Sequence, residues 1–243
     1  MSKYNVRDNF KDIFGVYLLE SLSFEGDYDM IVTECEEDIS KIDYLALYSD
    51  LQDYHKTENT CVCFYQYDHV FDGIHGLYNS IIHQDKKRLE KFRERFKNVK
   101  YIIGPDYSLY GDFPVPLQIF NVYKSRLCSA WLKANTKAII IPNIRWTFDF
   151  SYDFCFDGII KGSNIAISIL GQIKNKENKM MFLDGFKEVI DRIDPKAIVV
   201  YGFVTESNFD EIFGYAKSKG IKIIIPHSKI DMYKKEDAIY GTR

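Results

Sequence analysis

Polar and aromatic side chains that could act in catalysis or binding follow several short apolar runs of this sequence. They are Asp106 and Ser108 after the run at 102–103, Asn143, Arg145 and Trp146 after 139–141, Tyr201 after 199–200, and His227 after 223–225. In parallel α/β folds the carboxyl ends of the strands share one rim, and ligands bind there. The sequence therefore predicts a site at this rim, although no motif in it identifies a substrate.

Asp106 is the leading candidate for a catalytic group. A carboxylate directly after the Gly104-Pro105 turn at a strand end can act as a general base or as a metal ligand. The alternative is a turn-capping carboxylate that accepts hydrogen bonds from backbone N–H groups. Ser108 shares the loop and is predicted to bind substrate, since no base stands beside it in sequence to make it a nucleophile.

Arg145 beside Trp146 is typical of a site that captures an anion next to an aromatic group. A guanidinium binds phosphate or carboxylate through two parallel hydrogen bonds, and an indole can stack on a base. Asn143 could orient either side chain, and Arg126 is predicted to help hold the anion. The alternative is an ion pair beside an indole that belongs to the core.

His227 is the second catalytic candidate, because a histidine at the rim is a natural proton carrier near neutral pH. A hydrogen-bonded loop histidine is the alternative. Tyr201 is predicted to point into the same pocket. The stretch at 68–75 has the composition of a divalent metal site, but its spacing matches no established one, and no metal site is predicted there.

The predicted helix over 86–100 carries a stripe of lysines and arginines that could contact the phosphates of nucleic acid. The alternative is a solvated outer face with ion pairs between neighbouring helical turns. A formal net charge of -3 and an isoelectric point near 6.0 give no general attraction to nucleic acid. Phosphate-loop, dinucleotide-binding and zinc-protease motifs are absent, and the sequence names no cofactor.

Apolar runs alternate with amphipathic stretches from residue 61 onward, which predicts an α/β fold with a mainly parallel sheet. The predicted strands are 61–67, 100–103, 138–141, 164–170, 197–201 and 221–225. The predicted helices are 74–96, 117–133, 181–193 and 209–218, with a short candidate at 152–159. Strands at 30–34 and 44–48 would bring the total to eight and favour a TIM-barrel-like or partly open barrel over an open doubly wound sheet.

One domain over residues 1–243 is the simplest organisation, with residues 1–60 as a less regular acidic elaboration. Five scattered cysteines, an odd number, favour a reducing compartment over a disulfide framework. The amino-terminal residues lack the apolar segment of a signal peptide, and no apolar run approaches the ~18 residues of a membrane helix. We therefore expect a cytoplasmic protein with no membrane contact.

Five motifs occur in order between residues 61 and 202. They are Gly-Pro-Asp-Tyr-Ser-Leu-Tyr at 104–110, Pro-Leu-Gln-Ile-Phe-Asn-Val-Tyr-Lys-Ser-Arg at 116–126, Ile-Pro-Asn-Ile-Arg-Trp at 141–146, Tyr-Asp-Phe-Cys-Phe-Asp-Gly at 152–158 with Gly-Ser at 162–163, and the segment 195–202. This part of the chain resembles a family of unknown function found in bacteria, phages and other mobile elements. The resemblance implies a compact α/β protein and brings no established reaction. The matching positions are Asp106, Ser108, Asn121, Arg126, Asn143, Arg145 and Trp146.

Two functions follow from these observations. The leading hypothesis is a pocket at the carboxyl ends of the strands that binds an anionic small molecule or a nucleotide, with hydrolysis as the candidate reaction. The alternative is a non-catalytic phage or mobile-element factor that binds a host protein or nucleic acid through a tyrosine-rich or basic surface. Convergence of Asp106, Arg145 and Tyr201 on one concave pocket would favour the first.

Overall fold

Short strands alternate with helices along residues 16–231, the part of the chain that the computed structural model describes. The strands are β1 (Phe24–Glu25), β2 (Met30–Ile31), β3 (Tyr44–Leu47), β4 (Thr60–Cys63), β5 (Tyr101–Ile103), β6 (Ile139–Ile141), β7 (Ile165–Ser168), β8 (Ala197–Tyr201), β9 (Lys222–Ile224) and β10 (His227–Ser228). The helices are α1 (Val16–Leu19), α2 (Asp68–Phe71), α3 (Leu77–Ile82), α4 (Lys86–Phe96), α5 (Val115–Asn135), α6 (Tyr152–Cys155), α7 (Lys176–Ile193) and α8 (Glu206–Ser218).

Every strand pair from β3 onward is parallel. One sheet has the order β10-β3-β4-β5-β6 and another has the order β7-β8-β9. A single parallel bridge between Asn143 and Ala166 joins the two sheets. β9 pairs with β8, whereas β10, which follows β9 after a two-residue gap, pairs with β3, so the chain itself connects the two ends of this series of strands. The mainly parallel α/β fold is confirmed, and we call the series from β3 to β10 the strand ring.

One face of every strand from β3 to β9 contributes to a single buried cluster. Its strand members include Leu45, Cys61, Cys63, Tyr101, Ile103, Ile141, Ala166, Val199, Tyr201 and Ile224. The intervening residues, such as Val62, Ile102 and Ile198, belong to two other clusters that contain the apolar faces of the helices. Side chains alternate between the two faces of a strand. The strand ring therefore has an inner core and an outer core packed against helices.

The strand predicted at 30–34 does not join the strand ring. Gly26 and Asp29 both have left-handed backbone angles, with φ of 77° and 50°, and these reverse the chain between β1 and β2. The two strands consequently pair antiparallel as a small hairpin. The prediction at 44–48 is confirmed by β3, and the two parallel sheets together contain the eight strands β3 to β10.

The helix predicted over 74–96 is instead two helices, α3 and α4. Gln84 has a φ of 50°, which an α-helix does not accommodate. Asp85 then caps the new helix, because its carboxylate accepts a hydrogen bond from the backbone N–H of Arg88 at 3.0 Å. The short candidate at 152–159 shrinks to the four residues of α6.

The acidic amino-terminal region is only partly an elaboration of the fold, because β3 belongs to the strand ring. Its first 15 residues lie outside the described part of the chain, as do residues 232–243. The single-domain organisation over residues 1–243 stays a prediction. Within the described residues, no helix combines the length and the apolar character that crossing a membrane requires.

Candidate functional site

A cleft of about 540 Å³ opens where the strands of the ring end. Its lining includes residues at or just after the carboxyl ends of six strands: Leu47 of β3, Tyr65 after β4, Asp106 after β5, Arg145 after β6, and Ser168 and Tyr201, which end β7 and β8. Parallel strands place these positions at one edge. Asp106, Arg145 and Tyr201 line this one concave surface, which is the convergence that would favour the pocket hypothesis. We call this the first cleft.

Asp106 is buried at the floor of the first cleft, and both of its carboxylate oxygens have partners. Arg145 Nη1 donates to Asp106 Oδ2 at 2.7 Å, and Asn143 Nδ2 donates to Asp106 Oδ1 at 2.8 Å. Both donors come from the segment after β6, next to the strand that carries Asp106. The carboxylate is thus fixed by side chains of the neighbouring strand.

Two tyrosines extend this network across the floor. Tyr65 donates its hydroxyl proton to Asn143 Oδ1 at 2.9 Å, which orients the Asn143 amide toward Asp106. The Tyr65 ring stacks on the Tyr201 ring with a centroid separation of 4.8 Å. Carboxylate, amide and phenol therefore form one connected chain of hydrogen bonds, supported by a stacked ring from β8.

Burial raises the pKa of the Asp106 carboxyl above its ordinary value, while the Arg145 guanidinium and the Asn143 amide oppose the shift. A carboxyl that holds its proton to higher pH can donate or accept that proton closer to neutrality. This is the property expected of a general acid or base.

Arg126 and Trp146 are placed away from the first cleft. The Arg126 guanidinium is buried and donates to the backbone oxygens of Asn143 at 2.9 Å and Cys155 at 3.0 Å, while burial lowers its pKa to about 10. It therefore holds the backbone after β6 in position. Trp146 is 7% exposed and stacks on Phe182 in the outer core, so its position fits the core-indole alternative.

Ser108 lines the first cleft, but its hydroxyl already has a partner. Ser108 Oγ donates to Asp68 Oδ1 at 2.7 Å, and the Ser108 backbone N–H points to the same carboxylate. Asp68 is the first residue of α2, so this contact ties the start of α2 to the loop after β5. The Ser108 side chain is oriented by a carboxylate, and no histidine within residues 16–231 is in hydrogen-bonding contact with it.

His227 does not lie in the lining of the first cleft. The chain continues past β9 into β10, and His227 pairs with Tyr44, the first residue of β3. This register places it beside the beginning of β3. Its side chain is 85% exposed, and Nδ1 lies 3.3 Å from Asp231 Oδ2, which matches the alternative of a hydrogen-bonded loop histidine.

Sequence reasoning missed several cleft residues, including Tyr65, Tyr67, Lys174 and Ser168. For Tyr65 a signal was present, because it follows Cys61 and Cys63 at a spacing of two and therefore shares their inward face. Lys174 lies in an irregular loop after β7. The periodicity of the sequence there does not predict which way a side chain points.

The carboxylates of the stretch at 68–75 have protein partners. Asp68 binds Ser108, and Asp72 forms an ion pair with Lys124 at 3.3 Å. Across residues 16–231, no group of three or more His, Cys, Asp or Glu side chains is arranged to hold a metal ion.

Half of the six basic residues of α4 form contacts within the protein, as does Lys97 directly after the helix. Arg88, Arg93 and Lys97 form ion pairs with acidic residues three positions earlier in sequence. Arg95 donates to the backbone oxygen of Tyr48 and lies 3.8 Å from the centroid of the Tyr48 ring. This arrangement matches the alternative of an outer helix face with internal ion pairs.

Fold and site together define a mainly parallel α/β protein with a carboxylate and guanidinium pair at the floor of a strand-end cleft. The chain belongs to the family described as domain of unknown function (DUF4417), whose model matches residues 25–219. This finding confirms the resemblance noted in the sequence. No solved structure gives a significant match.

Two phage proteins are similar to parts of the chain. The Gene 1 protein of Mycobacterium phage L5 is 38% identical over 113 residues, which cover 46% of this chain and 49% of the relative. The Gene 1 protein of Mycobacterium phage D29 is 33% identical over 129 residues, covering 52% of this chain and 47% of the relative. The chain spans about half the length of these relatives, and neither name states an activity.

Proposed function

We propose that the first cleft binds an anionic small molecule or a nucleotide. The observation that carries the proposal is the pair of Asp106 and Arg145 at the floor of a concave site. Arg145 donates a hydrogen bond to Asp106 through Nη1, and 24% of the Arg145 side chain is exposed. Nε is buried, so the exposed end of the guanidinium would meet a ligand, and a guanidinium is well suited to phosphate and carboxylate groups.

The charges of the lining favour an anion over a cation. Among the described residues that line the first cleft, Arg145 and Lys174 are cationic and Asp106 is the one carboxylate. Lys174 is exposed in the loop after β7, so it can move toward a ligand without breaking a buried contact. An anion bound between the two cations would gain from both.

Aromatic surfaces in the first cleft suit the organic part of such a ligand. Tyr65 and Tyr201 contribute to the floor, while Tyr67 and Tyr110 are exposed in the walls. Tyrosine rings offer apolar faces for a base or sugar together with a hydroxyl at the edge. The volume of about 540 Å³ is within the range typical of small-molecule sites.

Hydrolysis is the reaction that the arrangement supports. Asp106, with its raised pKa, would take a proton from an attacking water, and Arg145 would balance the negative charge that develops at the attacked centre. The proton then passes from Asp106 to the leaving group, which restores the carboxylate. Asn143 is a positioning residue in this scheme, since it orients Asp106.

The proposal is tested by calorimetric titration and thermal shift. The probes are nucleoside mono-, di- and triphosphates, sugar phosphates and inorganic phosphate. We expect at least one anion to raise the melting temperature, because a ligand of the folded state stabilises it by mass action. Lys174→Ala should weaken the binding of that ligand. The matched control Lys87→Ala, at an exposed position of α4, should leave its binding unchanged. Failure of every anion to bind the folded protein, or equal effects of the two variants, would overturn the proposal.

A further inference from the structure

A second cleft of about 390 Å³ opens beside the first, and the two share part of their walls. Tyr110, Arg145 and Gly171 line both clefts. Each volume falls within the range of about 300–1,000 Å³ that is typical of small-molecule sites. Arg145 therefore stands at the junction of two concave surfaces, each of which has room for a separate chemical group.

Both clefts offer an aromatic face and polar groups on either side of this junction, and the second is also lined by the Glu177 carboxylate. The first cleft has Tyr67, whose side chain is 74% exposed, on its outer wall. The second has Phe148, which is 51% exposed, together with the amides of Gln172 and Asn178. An aromatic face with adjacent polar groups is what a nucleobase or sugar needs for stacking and hydrogen bonding.

The guanidinium at the junction has hydrogen-bonding capacity to spare. Arg145 Nη1 is bound to Asp106, whereas Nη2 has no hydrogen-bond partner within residues 16–231. An anion held by Arg145 thus has open space on two sides. A ligand with a terminal phosphate would use one of these sides and leave the aromatic surface of the other uncovered.

We propose that the two clefts bind one two-part ligand, in which an internal phosphodiester or pyrophosphate lies at Arg145 and carries an organic group in each cleft. A dinucleotide is the simplest member of this class. The inference rests on the proposed function, because it names the kind of anion that the site takes. It adds the prediction that an internal phosphate linkage is preferred over a terminal phosphate.

Calorimetric titration of the full chain with four probes tests the inference. Adenylyl-adenosine and NAD carry internal linkages, whereas AMP and ribose 5-phosphate carry terminal phosphates. We expect one or both of the two-part probes to bind at least about tenfold more tightly than AMP, since a second base adds a stacking contact. AMP binding as tightly as both two-part probes would overturn the inference and leave the proposed function standing.

Variants in the two clefts then locate the two halves of the ligand. Tyr67→Ala changes the first cleft and Phe148→Ala changes the second. Each should lower the affinity for the two-part probe by roughly 5- to 150-fold. Only one of the two should affect AMP, which fills a single cleft. Tyr28→Ala is the control, because Tyr28 is exposed in the turn between β1 and β2.

The remaining outcomes are equally informative. Loss of two-part binding in Tyr67→Ala alone would confine the ligand to the first cleft and overturn the inference. Asn178→Ala examines the second cleft independently if Phe148→Ala lowers the melting temperature. If none of the four probes binds and the wider panel of anions fails as well, the proposed function falls together with the inference.

Discussion

Arg145 and Asp106 form an ion pair with an N–O distance of 2.7 Å across loops that follow neighbouring strands. The carboxylate is almost fully buried, and the guanidinium reaches it from the cleft side. The pair therefore links the stability of the protein to the part of the molecule that we expect to meet a ligand.

Replacing Arg145 by Ala should destabilise the protein by about 3 kcal/mol, because it leaves the buried Asp106 carboxylate without its ionic partner. Urea denaturation measures the change. Arg192→Ala is the matched control, since Arg192 forms half-exposed pairs with Asp153 and Glu188 that should contribute less than about 1 kcal/mol. Equal losses of unfolding free energy in both variants would show that the Asp106 pair contributes no more to stability than an exposed pair.

Asp106 should make the protein less stable as the pH rises. Its pKa in the folded state lies above the ordinary value of 3.8, so the folded state holds this proton at pH values where the unfolded state has lost it. Stability from this group is fully present below pH 3.8 and declines as the pH rises through the folded-state pKa. The free energy of unfolding of wild type, minus that of Asp106→Asn, should therefore fall from acid toward neutral pH. A difference that increases with pH would mean that the Arg145 pairing outweighs burial.

All five cysteines should resist thiol reagents in the folded protein. Each is buried as a free thiol. Burial raises the pKa of the Cys35 and Cys155 thiols to about 12, so the reactive thiolate is scarce at neutral pH. We expect modification by a chromogenic disulfide to be slower than in urea by a factor of about 10³ or more, because reaction requires opening of the core. Rapid modification of a thiol without denaturant would contradict the packing of the core cluster that contains it.

Gly104→Ala should cost about 1–3 kcal/mol, the usual penalty for forcing an extra methyl group into a packed site. A Cβ atom at Gly104 would overlap the hydroxyl oxygen of Ser129 on α5. Adding Ser129→Ala removes that oxygen, so the double variant should regain most of the lost stability in urea denaturation.

Gly214→Ala provides the control for this experiment. Gly214 lies within α8, and a Cβ atom there would meet nothing within 4 Å. Because glycine is unfavourable in a helix, this change should stabilise the protein by about 0.5–1 kcal/mol. A destabilising Gly214→Ala would show that backbone effects, rather than the Ser129 contact, govern glycine replacement in this chain.

The strand and helix order could be predicted because it is written in local patterns. Runs such as Ala197–Tyr201 are apolar throughout, as strands buried on both faces must be, and helices of matching length separate them. The meeting of Asp106 and Arg145 follows from the same reasoning, since the carboxyl ends of parallel strands share an edge. These parts of the fold and site depend only on element order.

The positions of Trp146 and His227 depend on information that element order does not contain. Trp146 follows Arg145 directly, and successive side chains in an extended segment point to opposite sides. An arginine that faces the cleft therefore sends its neighbour into the core. His227 is displaced because the last run of the sequence serves two strands, β9 and β10, which pair with different partners.

The pairing of β10 with β3 also constrains how the chain folds. It joins residues 227–228 to residues 44–45, and it is held by ion pairs of Lys229 with Asp50 and Asp53. Contacts between positions so distant in sequence require a large loss of chain entropy to close the loop before the contacts themselves stabilise the protein. They therefore slow folding. During synthesis, one edge of β3 stays unpaired until residues 227–228 have emerged. This edge is the place where a nascent or truncated chain would be most prone to pair with another molecule.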